Sequence, residues 1–436
     1  MSAAPGPRGH FLLGSLPDAQ RDPLAMFQRA FNDYGEVVRL RFGPMTAHLI
    51  SSPEGVNHVL AENNKNYGKQ TRGFNNLRRV MGNGLLTAEG DFWKKQRRLA
   101  QPAFHRQKIA AFADSMLRAA GRCAARLATA TAPVDMSSEM MRVTLEIVGE
   151  TLLGAQVEGE VERVQSVVGQ LLRSANDRMT RMIDLPPPLP TRQNLALRRW
   201  LQVLDGIVLR IIAERRRAPG DDLISMLLAA RDEETGESMT DGQLRDEVMT
   251  IFLAGHETTA NALTWTFLLL SRYPAAGRAL RAELGRAPVT LADLPRLPLL
   301  KATIEESMRL YPPAWVIARS ATGADEIGGY QIPAGSIVFV SPYVVHRNPR
   351  LWRDPEGFDP ERFAGADALP RGAYFPFGGG PRQCIGNGFA MMEAQLVLAA
   401  LAQKFSLELV PGHPVALEPS ITLRPRHGMR MAVRPA

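Results

Sequence analysis

The strongest constraint on this chain of 436 residues is a helical pattern that runs through residues 241–273. Asp241 reads as its cap and Pro274 as its stop. At ~1.5 Å per residue, such a helix is about 50 Å long and crosses a whole domain. A second helical segment, 297–311, ends before Pro312-Pro313, and residues 92–228 are mostly helical in pattern. The run Asp184-Leu185-Pro186-Pro187-Pro188-Leu189-Pro190 breaks that stretch, because prolines cannot sit inside a helix. With helices on both sides, it reads as a stiff inter-helix loop rather than a domain linker.

The β signal is smaller. Val37-Val38-Arg39-Leu40-Arg41-Phe42 and Thr46-Ala47-His48-Leu49-Ile50 flank Gly43-Pro44-Met45 and read as a hairpin. Short strands are expected at Ser406-Leu407-Glu408-Leu409, Ile421-Thr422-Leu423 and Met429-Arg430-Met431-Ala432-Val433. Residues 68–90 hold five glycines and little periodicity, and read as a long loop. No internal repeat is visible. The expected class is mainly α with small β-sheets (α+β), one domain over residues 1–436. Residues 1–35 are its entry segment, about 36–52 and 405–433 its β-rich parts, about 92–311 its helical part, and 375–404 a cysteine loop and the following helix.

Composition narrows the function. At 45% hydrophobic and 22% charged, the chain suits a globular protein and not a disordered one. No run of ~18 apolar residues marks a membrane span. The apolar stretch Phe11-Leu12-Leu13 is broken by Gly14, too short for a secretory signal. Two cysteines, Cys123 and Cys384, cannot form a disulfide framework or hold an iron–sulfur cluster. A reducing, cytoplasmic setting is expected. Only seven of the 52 basic residues are lysine, and the arginines are scattered. A net charge of +8 in that form favours an acidic protein partner over nucleic acid.

The most informative stretch is Phe377-Gly378-Gly379-Gly380-Pro381-Arg382-Gln383-Cys384-Ile385-Gly386, followed by a helical pattern over about 387–404. Glycines permit positive φ and the close approach of a flat partner. A cysteine just ahead of a helix N-terminus gains thiolate character. A structural cysteine and a nucleophile remain open readings, although no histidine base stands nearby in sequence. A phosphate loop is excluded, since the stretch has no lysine.

The long helix carries a second anomaly, Ala254-Gly255-His256-Glu257-Thr258-Thr259. Glycine costs about 1 kcal/mol against alanine in a helix interior, and threonines bond back to carbonyls and bend helices. Broken local rules in mid-helix point to a functional site. A zinc motif H-E-x-x-H is excluded because position 260 is alanine. A packing glycine among solvated polar neighbours remains the alternative.

Phe377, Gly380, Arg382, Cys384 and Gly386 match F-x-x-G-x-R-x-C-x-G, which resembles the haem-binding signature of cytochrome P-450, the haem-thiolate monooxygenases. The helix segment resembles that family's A-G-x-[DE]-T-[TS] motif, Glu306-Ser307-Met308-Arg309 its E-x-x-R element, and Trp93-Lys94-Lys95-Gln96-Arg97 its W-x-x-x-R helix. The resemblance spans residues 36–433. It implies the cytochrome P-450 fold, with haem b between the oxygen-binding helix and the cysteine-loop helix. By resemblance, Cys384 is the axial ligand of the haem iron. Phe377 packs beside it, and Arg382, Trp93, Arg97 and Arg319 meet haem propionates. Glu257 and Thr258 form an acid–alcohol pair that delivers protons to O2, and Ala254 and Gly255 leave room for it. His256 has no role in the pattern. Glu306, Arg309 and Arg362 form a structural network.

The implied reaction inserts one atom of O2 into an apolar small molecule, by hydroxylation or epoxidation. Fatty acids, terpenoids, steroids and polyketides all qualify. Electrons come from NAD(P)H only indirectly, through a ferredoxin or flavodoxin with its reductase, and Lys94, Lys95 and Arg98 are offered as a docking face. The pocket is expected to include Phe74, Leu85, Leu86, Trp315, Val316 and Ile317. The membrane anchor of many eukaryotic relatives is absent, which suggests a soluble bacterial-type monomer. A peroxide-driven peroxygenase and a non-catalytic haem protein are the other readings.

Overall fold

The computed structural model describes residues 2–152, 166–167, 169–171, 174, 178, 189–365 and 369–436. The proline run at 184–188 lies outside the described residues. The chain divides into two compact units, each assembled from separate stretches of sequence. Among the described residues, no helix is long and apolar enough to cross a membrane.

One unit comprises Met1–Asn75, Glu306–Phe358 and Gly365–Cys384. Its centre is a five-stranded sheet ordered Val37–Phe42, Met45–Ile50, Ile337–Val340, Ile317–Ala321 and Tyr67–Gly68. The first two strands form the expected hairpin, with Phe42 opposite Met45. Gly43 turns the chain at φ +59°, so the loop is two residues and Met45 already belongs to the strand. Ile337–Val340 runs parallel to the hairpin's second strand and antiparallel to Ile317–Ala321. Val37, Ile50, Leu60, Tyr67, Val338, Val340 and Phe375 close one core. Full burial of each such aliphatic side chain contributes about 1.5–3 kcal/mol, so this core holds the loop after Phe375 on a stiff base.

The other unit comprises Asn76–Glu305, Asp359–Ala364 and Ile385–Ala436. The long helix spans Asp241–Arg272. Its cap is Thr240, not Asp241. The Thr240 hydroxyl accepts from the Gln243 amide, and the Gln243 side chain accepts from the Thr240 amide, a capping box that outcompetes a lone aspartate. From Thr259 to Leu269 every residue is buried, as expected of a helix packed on all sides. The hydroxyls of Thr264 and Thr266 are satisfied by carbonyls one turn back, each at 2.7 Å. This helix packs on helices Met136–Leu152 and Asn387–Ala402.

Residues 68–90 are not one loop. Arg72–Met81 is a helix, and only a short turn follows it.

Candidate active site

The cysteine loop is shaped by its backbone. Gly378 and Gly380 adopt φ of +71° and +62°, where glycine bears no steric penalty. A Cβ at position 380 would collide with the Leu60 carbonyl oxygen. Leu60 is itself held, because His58 and Asn63 bond the same Asp325 oxygen at 2.8 and 3.0 Å. The loop then closes with the Cys384 amide donating to the Phe377 carbonyl at 2.9 Å. The outcome is an exposed thiol on an immobile backbone.

His346 supports the same loop from below. Its Nε2 accepts from the Phe375 amide at 3.0 Å. Burial, then the Arg309 and Arg347 charges, push its pKa down to about 3. The ring is therefore neutral at pH 7 and keeps a lone pair for that amide. Arg309 uses all five of its N–H donors. Two go to the Glu306 oxygens at 2.7 and 2.8 Å, and three to the carbonyls of His346, Pro355 and Gly357 at 2.8, 2.6 and 2.8 Å. Its guanidinium also lies 5.2 Å from the Trp352 ring centre. Both members of the pair are fully buried, and only such complete bonding repays their desolvation. Arg362 stands on Glu361–Ala364, in the second unit.

Trp93 and Arg97 lie one turn apart on helix Gly90–Ala100, half-buried. The basic residues beside them are already committed. Lys94 pairs with Asp91 at 2.7 Å, Lys95 with Glu237, and Arg98 with Asp232 and Glu234 at 3.0 and 2.8 Å. The docking face offered from the sequence is therefore charge-compensated by these acidic partners.

Arg319 is buried on strand Ile317–Ala321 and bonds its neighbour's carbonyl at 2.9 Å. Its guanidinium lies 6.0 Å from the Phe74 ring centre, and the Lys69 ammonium lies 5.1 Å from the same ring. Lys69 is also buried. Sequence reasoning missed it, although it is one of only seven lysines and stands in the glycine-rich stretch. Phe74 is half-buried, with both cations near its ring. Trp315 is buried. It packs on Phe27 at 6.1 Å, and its carbonyl accepts from Ser341 at 2.7 Å. Ile317 approaches the cysteine loop, since a Cβ at Gly378 would lie 3.7 Å from its Cδ1. Val316 is half-buried.

In the long helix, Ile251, Ala254, Gly255 and Thr258 are the half-buried residues of an otherwise buried turn sequence. The Thr258 hydroxyl donates to the Ala254 carbonyl at 2.8 Å. A Cβ at Gly255 would meet Val148 at 3.4 Å and Leu152 at 3.9 Å, ordinary contact distances on helix Met136–Leu152. His256 is buried, with Nδ1 2.8 Å from the Phe252 carbonyl oxygen, and burial lowers its pKa.

Glu257 turns to the short hairpin Leu417–Pro419 and Leu423–Pro425. Its Oε1 accepts from the Thr422 hydroxyl at 2.7 Å, and Asn261 donates to that hydroxyl at 3.1 Å. Burial raises the carboxyl's pKa, while Thr422 and Arg424 oppose the shift. Glu393, fully buried on helix Asn387–Ala402, is a further carboxyl that sequence reasoning missed. Among the described residues neither of its oxygens has a partner in hydrogen-bonding geometry. Burial pushes its pKa well above the usual range, and the Thr259 hydroxyl pulls the other way.

The family model described as Cytochrome P450 matches residues 4–429. The chain belongs to the cytochrome P450 family. It is 39% identical to cyclooctatin synthase of Streptomyces melanosporofaciens, over 95% of this chain and 91% of that protein. It is 36% identical to cyclooctat-9-en-7-ol 5-monooxygenase of the same organism, over 92% and 88%. It is 34% identical to pentalenene oxygenase of Streptomyces avermitilis, over 93% and 94%. It is thus a P450 monooxygenase, an oxidoreductase of a family that uses haem iron and O2.

The residues present fit that cofactor. Among the described residues, no three His, Cys, Asp or Glu side chains gather as a metal site. A single exposed thiol suits an iron already ligated by a macrocycle. The buried cations Arg319 and Lys69 suit the carboxylates that such a macrocycle carries.

Proposed function

We propose that this chain hydroxylates or epoxidises an apolar, terpenoid-type small molecule, with electrons from a separate ferredoxin or flavodoxin and its reductase. The observation that carries the reading is the exposed Cys384 thiol, fixed by the Phe377 carbonyl and the Leu60 contact. The relatives' names favour terpenoids over fatty acids, steroids and polyketides. A cytoplasmic monomer of one domain completes the reading.

Each residue's task follows from its surroundings. Cys384 ligates haem b as a thiolate and is shielded by Phe377. Trp93, Arg97, Arg319 and Arg382 bind the propionates, joined by Lys69. When bound, the haem iron supplies reductive activation of O2. Thr258, on the half-buried face with Ala254, holds a hydroxyl where a small polar ligand can be bonded. Glu257, whose carboxyl pKa burial raises, supplies protons from the Thr422 side. Leu85, Leu86, Val316 and Ile317 contribute apolar surface that favours a substrate without charge.

The test is the carbon monoxide difference spectrum of the reduced protein, followed by turnover of terpene hydrocarbons and alcohols with a ferredoxin system. A long-wavelength thiolate band and oxygenated terpenoid products are expected. Cys384→Ser should abolish both. A band at the histidine-like position refutes Cys384 ligation. Peroxide-driven turnover faster than the partner-driven reaction favours the peroxygenase. A thiolate band with no oxidation of any substrate favours a non-catalytic haem protein.

A further inference from the structure

Two adjacent carboxylates in the first half of the long helix do something the monooxygenase motifs do not include. Asp246 Oδ2 accepts from the Asn83 amide at 2.7 Å, and Glu247 Oε2 accepts from the Leu85 amide at 3.0 Å. Both amides belong to the short turn after helix Arg72–Met81. That turn is closed on itself. The Thr87 hydroxyl donates to the Gly82 carbonyl at 2.7 Å, and Arg78 donates to the Thr87 carbonyl at 2.6 Å. It also lies against the helix. Gly82, at φ +74°, has no space for a Cβ beside the Asp246 carboxylate, and a Cβ at Gly84 would run into the Thr250 hydroxyl. Only glycine at 82 and 84 allows this approach.

Glu247 is fully buried, and its Oε1 has no hydrogen-bond partner among the described residues. Burial raises its carboxyl to about 7, the Leu85 amide opposes that shift, and Asp246 adds to it. A buried carboxyl so placed is costly unless its one bond does a job. That bond fixes the backbone of Leu85, and Leu86 follows as the half-buried residue of the turn.

We infer that Asp246 and Glu247 are positioning residues for substrate selection: their carboxylates latch the 82–88 turn to the long helix and so set where Leu85 and Leu86 stand. Glu247 lies eleven residues before Thr258, about 16 Å along the same helix, so it acts through the turn rather than at the reacting atoms. This inference rests on the monooxygenase reading for its consequence, because Leu85 and Leu86 matter only if that turn borders the substrate.

The test uses the ferric holoenzyme and follows hydrogen exchange at the Asn83 and Leu85 amides. Glu247→Leu keeps the bulk and removes the acceptor. Leu85 exchange should rise about tenfold or more, with little change in helix Met136–Leu152. Glu247→Gln restores an acceptor, should bring exchange back to within a few-fold of wild type, and serves if the leucine variant does not fold. Binding is read with two probes titrated against the haem spectrum. The 4-phenylimidazole dissociation constant should shift several-fold in Glu247→Leu, while that of imidazole, which lacks the apolar ring, stays put. Unchanged Leu85 exchange, or equal shifts for both probes, overturns the latch. The carbon monoxide spectrum separates the two failures. A thiolate band with unaltered Leu85 exchange sinks the latch alone. Absence of that band sinks the monooxygenase reading, while the exchange result still decides whether the latch exists.

Discussion

Behind the cysteine loop, the buried Arg309–Glu306 pair is fully hydrogen-bonded, and of the nearby His346 ring only Nδ1 has no partner in hydrogen-bonding geometry among the described residues. Arg309 uses five donors, Glu306 uses both oxygens, and His346, kept neutral by burial and the Arg309 and Arg347 charges, accepts from the Phe375 amide. In the long helix and the helix packed on it, the opposite holds. Glu247 and Glu393 keep buried oxygens without partners, and burial raises the carboxyls of Glu247, Glu257 and Glu393 together. A saturated network has one arrangement and resists change. An undersaturated one holds its protons to higher pH than ordinary carboxyls do. The first suits a ligand that must not move, and the second suits a proton donor.

The comparison breaks most severely at Arg309. Arg309→Ala takes the guanidinium away from the buried Glu306 carboxylate and from three carbonyls. It should cost about 3–5 kcal/mol, read as a loss of holoprotein and of cooperative urea unfolding. A variant that folds and binds haem normally would show that the saturation is incidental. Gly380→Ala attacks the same region through the backbone. Its positive φ and the Leu60 carbonyl together should cost about 2–3 kcal/mol, with a weakened thiolate band. The matching change Gly255→Ala meets Val148 and Leu152 at ordinary contact distance and should be milder in both assays.

Legibility in the sequence follows the same division. Cys384 and its glycines, Glu306 with Arg309, and Glu257 with Thr258 are short-range patterns, so the chain displays them directly. Their supporting partners are remote. Thr422 lies 165 residues from Glu257, Leu85 lies 162 from Glu247, and His346 lies 29 from Phe375. No local periodicity reports such pairs. Helix Arg72–Met81 was hidden because Gly73 and its many polar residues dilute the apolar signal. The strands over 317–340 are too short to alternate visibly.

Thr258→Ala sharpens the other side. It removes a hydroxyl from the half-buried face and leaves the cysteine loop untouched. The thiolate band and electron uptake should persist, while product formed per electron falls about tenfold, with electrons leaving as hydrogen peroxide or water. Full coupling in this variant would remove Thr258 from proton delivery and leave Glu257 to be tested by Glu257→Gln.

The smallest effect, and the most diagnostic of undersaturation, is expected at Glu393. Its folded-state pKa lies well above the usual 4.5. As pH rises through about 4.5, the unfolded chain therefore releases this proton first, and stability falls from there until the folded carboxyl also ionises. Glu393→Gln has no proton to lose. It should match wild type near pH 4 and exceed it by about 1 kcal/mol at pH 8, measured by urea unfolding at both values. A gain that is equal at both pH values would assign the effect to packing rather than charge. A loss at pH 8 would mean that the ionised carboxylate has partners that form only in the holoenzyme, and Glu393 would then belong with the saturated region instead of opposite it.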